Sequence, residues 1–141
     1  MGQIFNVVKR NPVLTQRIAG QNLTAGLAVY LTDAMTVRAT ADQNCGGYAF
    51  DGVTVTTNSS GQYVTVASEP SEVYVNATGD ISAGKYVSPR PGGMVGNATH
   101  SPHTNAAYVI CGRALETGTA GSPVLIKLMN FPNASRIGNT S

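Results

Sequence analysis

Apolar and polar residues alternate along most of this chain in short runs that favour β-strands. In Val53–Val55 and Tyr63–Val66, apolar side chains alternate with Thr, so each run has one apolar and one hydroxyl-bearing face. Helical periodicity is nearly absent, and Gly, Asn, Asp and Pro separate the runs. The pattern therefore predicts an all-β chain. The predicted strands are Ile4 to Val8, Leu27 to Leu31, Met35 to Ala39, Ala49 to Thr56, Gln62 to Ala67, Glu72 to Asn76, Tyr86 to Ser88, Tyr108 to Leu115 and Val124 to Met129.

One segment departs from this pattern. Ser88 to Asn105 holds three prolines and several glycines, so only a very short strand around Met94 and Val95 could interrupt it. We expect a long irregular excursion there.

The chain also contains an internal repeat of its turn and strand motifs. Leu23-Thr-Ala-Gly26 is answered by Ile81-Ser-Ala-Gly84, and the strands that follow each motif match in the same order. Further along, the offset is constant at sixty (110 minus 50), and the matching segments are Phe50–Val53 with Ile110–Arg113, Gly61 with Gly121, and Val64–Val66 with Val124–Ile126.

This repetition predicts two similar β-meander halves that pack their apolar faces together as a small sandwich or closed barrel, because neither half alone could bury enough surface. The length of 141 residues fits one domain. We predict a β domain over residues 21–129, an extended N-terminal arm over residues 1–20 and a C-terminal tail over residues 130–141.

Composition changes the picture of the surface. Charged residues make up only 11% of the chain, so neutral polar groups must carry its solubility, and such a surface suits a protein that packs against neighbours. The formal net charge is +2 without a cluster of Lys and Arg, which argues against a nucleic-acid partner. No apolar run has the length of a signal peptide or a membrane span, so we expect no membrane partner.

The first twenty residues carry Lys9, Arg10 and Arg17 and no Asp or Glu. This basic arm is either an ordinary solvated tail or a segment that docks onto an acidic partner surface, and the sequence leaves both open.

Residues with chemical potential are few and scattered. His100 and His103 both lie in the Pro-rich excursion, which suits solvated loop histidines better than a catalytic base or a metal site. Cys45 and Cys111 lack the spacing of a zinc or redox motif, so we expect buried, reduced thiols. The seven acids form no closely spaced set, although Glu116 could pair with Arg113. We therefore predict no catalytic residues, no metal, no cofactor and no enzymatic activity.

The repeated segments resemble a known family. LTAGLAVYL, ISAGKYVSPRPGGMV and ICGRALETGTAGSPVLIKL, which begin at residues 23, 81 and 110, are similar to the turn and strand signatures of the tailed-phage capsid decoration, or cement, proteins known as DUF2190. The resemblance implies a protein that binds the outside of an icosahedral head, commonly as a homotrimer, and stiffens the shell. It also implies the major capsid protein as partner, and a location on the capsid exterior after assembly in the host cytoplasm.

In this interpretation the N-terminal segment adds a strand to a sheet edge of the capsid protein. Ile4, Phe5, Val7 and Val8 would make the intermolecular contacts, while Lys9 and Arg10 would meet acidic groups of the capsid. The alternative is that these residues form an edge strand of their own domain.

Two other functions stay open at this point. The chain could be a carbohydrate- or receptor-binding β module of a virion that uses the excursion from Ser88 to Asn105 for recognition, although that excursion offers no aromatic platform. A small enzyme is the more distant alternative.

Overall fold

The structure is a computed structural model that describes residues 7–43, 45, 48–98 and 109–131. These residues form eleven β-strands and include a 3-10 turn at Pro91–Gly93, which confirms the predicted all-β class. The strands are β1 (Val8–Arg10), β2 (Leu14–Ala19), β3 (Ala28–Leu31), β4 (Thr36–Ala39), β5 (Phe50–Thr54), β6 (Tyr63–Ala67), β7 (Glu72–Asn76), β8 (Tyr86–Arg90), β9 (Met94–Asn97), β10 (Ile110–Ala114) and β11 (Pro123–Phe131). Within the described ranges, no helix has the length and apolar character needed to cross a membrane.

The first half of the domain is a closed five-stranded barrel. Its strands follow the order β2-β4-β3-β5-β6, and β6 pairs with β2 to close the ring. All of these pairings are antiparallel except that of β2 with β4. Closure leaves this half without an unpaired sheet edge.

The second half repeats this strand order in a six-stranded sheet, β1-β7-β11-β10-β8-β9. A parallel bridge from Ala77 to Val95 links the end of β7 to β9, at the positions where Ala19 pairs with Val37 in the first half. The additional strand β1 pairs with the outer edge of β7. The second half is therefore a near copy of the barrel with one strand added.

The register of the two halves is the same at every equivalent pair. The offset is 58 (81 minus 23) for the first three strands of each half and 60 (110 minus 50) for the last two. The tight turns agree as well, because the Gly26 N–H donates to the Thr54 carbonyl and the Gly84 N–H donates to the Ala114 carbonyl, each at 2.8 Å. The predicted duplication is thus confirmed at the level of individual backbone hydrogen bonds.

The interior of each half is filled by the same six positions. The first holds small and β-branched side chains with one leucine, and all six counterparts in the second half are buried too. The pairs are Ala19 with Ala77, Leu23 with Ile81, Val29 with Val87, Val37 with Val95, Val64 with Val124, and Val66 with Ile126. Burial of a side chain of this size contributes about 1.5–3 kcal/mol, so the paired interiors are a main source of stability.

The halves are joined through one continuous apolar cluster. Ala28, Val53 and Ala67 of the first half are fully buried in the same cluster as the interior of the second half. The hairpin of β8 and β9 also contacts the first half, since the Gly93 N–H donates to the Thr40 carbonyl at 3.1 Å. The two halves therefore form one packed unit, as the sequence predicts.

Part of the predicted excursion is regular structure. Residues 88–97 belong to β8, the 3-10 turn and β9, rather than to an irregular loop. Pro89 is tolerated inside β8 and the glycines form the turn, so the sequence signals mark a hairpin. The remainder of the excursion, residues 99–105, lies outside the described residues, as do His100 and His103.

The folded domain begins earlier in the chain than predicted. Residues 14–19 form the barrel strand β2 and residues 8–10 form β1, so residues 7–19 belong to the folded domain and not to a detached arm. The basic residues of this segment do not mark a free arm, because Arg17 pairs with Asp51, 34 residues away. At the other end β11 reaches Phe131, and residues 132–141 lie outside the described residues.

Candidate functional site

The hydrophobic residues predicted to bind a partner occupy different environments. Val7 is fully buried, and its carbonyl accepts a hydrogen bond from the Tyr74 N–H at 3.0 Å. Val8 lies opposite Val73 in the antiparallel pairing of β1 with β7. Ile4 and Phe5 lie outside the described residues. Val7 and Val8 therefore pack at the sheet edge of their own domain, which is the alternative to binding a capsid protein.

The two basic residues of the predicted site also differ. Lys9 is exposed. Arg10 is exposed over 68% of its side chain, but its Nε lies 3.0 Å from Oε1 of Glu72, whose side chain is only 13% exposed. Arg10 therefore neutralises a mostly buried carboxylate of its own domain. Its charge is not free to pair with a carboxylate of a binding partner.

A row of five side chains crosses the sheet of the second half. Each residue lies directly opposite the next in the register, in the order Arg10, Glu72, Lys127, Arg113 and Tyr86. Directly opposed residues project from the same face of a sheet, so these side chains form one continuous row, which we call the charged wall. Arg113 and Tyr86 are exposed, and Lys127 is half-buried.

Two cations of the charged wall have no counter-charge among the described residues. Glu72 is paired with Arg10, and in the described part of the chain neither Arg113 nor Lys127 forms an ion pair. The pair that we expected between Arg113 and Glu116 does not form; Oε2 of Glu116 instead accepts a hydrogen bond from the Leu125 N–H at 3.2 Å. The wall therefore presents two uncompensated positive charges to its surroundings.

The corresponding wall of the first half is apolar and buried. Its row reads Leu14, Ala67, Val53 and Ala28, and these residues correspond to Glu72, Lys127, Arg113 and Tyr86. All except Leu14 are completely buried between the halves. The charged wall was not predicted from the sequence, although the repeat offset places Val53 against Arg113 and Ala67 against Lys127.

A bidentate ion pair lies beside the junction of the halves. Arg17 donates from Nε to Asp51 Oδ2 at 2.9 Å and from Nη2 to Oδ1 at 3.0 Å, which raises the pKa of Arg17. Asp51 also lines a cavity of about 240 Å³ between the halves, together with Leu31, Ala49, Phe50, Ser68, Glu69 and Met129. Because Arg17 already occupies both carboxylate oxygens, Asp51 is held as a structural group.

Nucleophilic and metal-binding side chains are sparse where the structure describes them. The described ranges contain no group of three or more His, Cys, Asp or Glu side chains that could hold a metal ion. Cys45 and Cys111 are buried and form no disulfide, as expected, and desolvation raises the pKa of both thiols, that of Cys45 to about 12. Such thiols are poor nucleophiles at neutral pH.

Comparison with solved structures shows that the fold occurs in a phage protein. The fold is similar to the crystal structure of the head fiber gp8.5 N base in bacteriophage phi29, with a TM-score of 0.61 and 21% sequence identity. The similarity covers 83% of this chain and 93% of that chain, so it includes both halves of the domain. No family model and no curated protein matches the chain, so the resemblance to the DUF2190 family stays a prediction.

Proposed function

We propose that this chain is a capsid decoration protein that binds the outer surface of an icosahedral phage head and stabilises the shell. The observation that carries the proposal is the likeness of nearly the whole domain to the N base of a phage head fiber. The resemblance of the repeated turn segments to capsid decoration proteins supports the same function independently of that fold comparison. The low content of charged residues suits a protein that stays bound to the surface of a larger assembly.

The proposed mechanism is binding without catalysis or a cofactor. A domain in which both halves close over apolar interiors is a rigid body, so it loses little conformational freedom when it attaches. The partner in this proposal is the major capsid protein, and a homotrimer would let weak contacts reinforce one another, because attachment of one subunit holds the others near their sites. Each bound trimer would then resist separation of the capsid subunits beneath it.

The described part of the excursion bears on the carbohydrate-binding alternative. A Cβ added at Gly93 would lie 2.9 Å from the Leu27 Cβ, so the turn between β8 and β9 is pressed against the first half. Residues 88–97 are therefore largely committed to packing within the domain, which favours the decoration function over recognition by this segment.

A binding experiment with undecorated heads of the phage that encodes the chain tests the proposal. We expect saturable binding at a fixed copy number per head, together with a higher temperature for release of the packaged DNA. Failure to bind, combined with a positive signal for the protein on a glycan array, would contradict the proposal and support the receptor-binding alternative.

The proposed role of Ile4 and Phe5 has its own test. Deletion of residues 2–6 removes both side chains and leaves Val7 and β1 in place, and the melting temperature of the variant checks that the domain stays folded. We expect weaker binding to undecorated heads. Unchanged affinity would remove these two residues from the site.

A further inference from the structure

We propose that the charged wall is the surface through which this protein docks onto a carboxylate-rich face of the capsid shell. This inference rests on the proposed function and deepens it, because it names the docking surface and the chemistry of its partner. It also shifts the predicted contact with acidic groups from Lys9 and Arg10 to Arg113 and Lys127, because Arg10 is already paired with Glu72.

The wall is long and straight. Arg10, Glu72, Lys127, Arg113 and Tyr86 occupy five neighbouring strands, β1, β7, β11, β10 and β8, in one unbroken line of register pairs. Strands in a sheet lie about 4.8 Å apart, so the line spans roughly 19 Å over four intervals. A row of that length on a rigid sheet fits a flat partner surface better than a small ligand.

The wall carries more positive than negative charge. In the described part of the chain the only carboxylate in the row is that of Glu72, and Arg10 lies against it at 3.0 Å. Lys127 and Arg113 are adjacent cations on neighbouring strands, and like charges placed directly opposite each other destabilise a sheet. A partner that brings carboxylates between them would relieve this repulsion and bind the Arg113 guanidinium in a bidentate manner.

The two halves use equivalent walls differently. The same wall in the first half already makes a docking contact, because Ala28, Val53 and Ala67 are fully buried where the halves meet. The fold therefore buries one copy of this wall inside the chain and leaves the other copy at the surface, where Arg10, Arg113 and Tyr86 are exposed. Replacement of Val53 and Ala67 by Arg113 and Lys127 in the second copy prevents it from packing on apolar surface and suits it to an acidic one.

The aromatic end of the row supports the same conclusion. Tyr86 takes the position of the buried Ala28, and the residue is 47% exposed. An exposed tyrosine next to Arg is typical of the residues that carry binding energy in protein interfaces. Lys85, next to Tyr86 in the chain, is also exposed and adds to the positive charge at this end.

Neutralising the two uncompensated cations tests the inference. The variant carries Arg113→Gln and Lys127→Gln, and its matched control carries Gln16→Glu and Ser60→Glu, which alter the net charge equally at exposed positions of the first half. We expect the wall variant to bind undecorated heads at least tenfold more weakly and the control to stay within twofold of the unmodified chain. Binding by the unmodified chain should also weaken as salt rises from 50 to 500 mM.

The outcomes separate this inference from the proposed function. Saturable binding by the unmodified chain together with equal affinity of the wall variant would overturn the inference and leave the decoration function standing. Failure of the unmodified chain to bind would overturn both.

Chemical cross-linking gives a readout that does not depend on folding of a variant. A carbodiimide condenses an amine with a neighbouring carboxylate to an amide with loss of water, so it should join Lys127 to a carboxylate of the shell in decorated heads. Cross-links to the shell from Lys9 alone would contradict docking through the wall.

Discussion

Arg17 and Asp51 form a bidentate ion pair at the positions that Val75 and Cys111 occupy in the second half. The two contacts measure 2.9 and 3.0 Å, and the side chains are only 20% and 7% exposed. The register equates Arg17 with Val75 because these residues face Val64 and Val124, which match at an offset of 60 (124 minus 64). One half thus uses charge where its copy uses apolar contact.

We predict that removing one partner of the ion pair lowers the free energy of unfolding strongly, whereas replacing both partners changes it little. Arg17→Val alone leaves a mostly buried carboxylate without its partner and should lower the free energy of unfolding by about 3 kcal/mol. The double variant Arg17→Val with Asp51→Cys recreates the residues of the second half and should recover most of that loss, as measured by urea denaturation. If the double variant is as unstable as the sum of both single variants, the two positions are not coupled.

Exchanging the residue types at the centres of the two walls should affect stability very differently. Val53→Arg buries a cation between the halves and should destabilise the domain by more than about 4 kcal/mol, since Val53 is fully buried. Arg113→Val changes an exposed residue and should alter the free energy of unfolding by no more than about 0.5 kcal/mol. Thermal denaturation of both variants measures the difference, and similar melting temperatures would show that the walls are equivalent.

Close backbone approach makes two equivalent glycines sensitive to substitution. A Cβ at Gly52 would lie 2.0 Å from the Ala67 carbonyl oxygen, and one at Gly112 would lie 2.7 Å from the Lys127 carbonyl oxygen. Gly52→Ala should therefore cost more than about 3 kcal/mol and Gly112→Ala a smaller amount. Gly79→Ala is the control, because nothing lies within 4 Å of its added Cβ. A ranking by chemical denaturation with Gly112→Ala as the worst variant would contradict the geometry.

The buried thiols predict a loss of stability in alkaline solution. Burial raises the pKa of Cys45 to about 12 and that of Cys111 further, while an unfolded thiol titrates near 8.5. The contribution of each thiol is fully present below that unfolded pKa, and it declines by about 1.4 kcal/mol per pH unit above it because only the unfolded chain ionises. Urea denaturation between pH 8 and 10.5 measures this slope.

The variant with Cys45→Ala and Cys111→Ala is the control for the alkaline effect. It should be less stable at pH 7 but lose stability less steeply as the pH rises. Native protein should also react slowly with a thiol reagent at pH 8, and rapid modification of both cysteines would show that they are accessible.

The strands could be predicted where local alternation was strong. β7 has the predicted bounds Glu72–Asn76, because Val73, Tyr74 and Val75 stand between Pro70 and Gly79, which interrupt strand structure on either side. β2 was missed, since Leu14–Ala19 contains Gln16 and Arg17 and lacks the β-branched density of the other strands. Its place in the barrel depends on pairing with β6 and on Asp51, neither of which is local in sequence.

The charged wall could have been found in part from the sequence. The repeat equates Val53 with Arg113, and a change from an apolar to a charged residue at one position of two similar units signals that the two faces have different surroundings. The sequence could not show which residues stand beside Arg113, because the five members of the wall are separated by up to 117 positions (127 minus 10). Only the strand register brings them into one line.

The amino-acid sequence by itself determined the β class, most of the strands and the duplication, since alternation and glycine-centred turns act over a few residues and are repeated in both halves. The tertiary structure decided that β1 and β2 belong to the domain, that residues 88–97 form a packed hairpin, and that one wall is buried while its copy is exposed. These features depend on pairing and packing between distant segments, and a local pattern carries no information about which distant segment will be its neighbour.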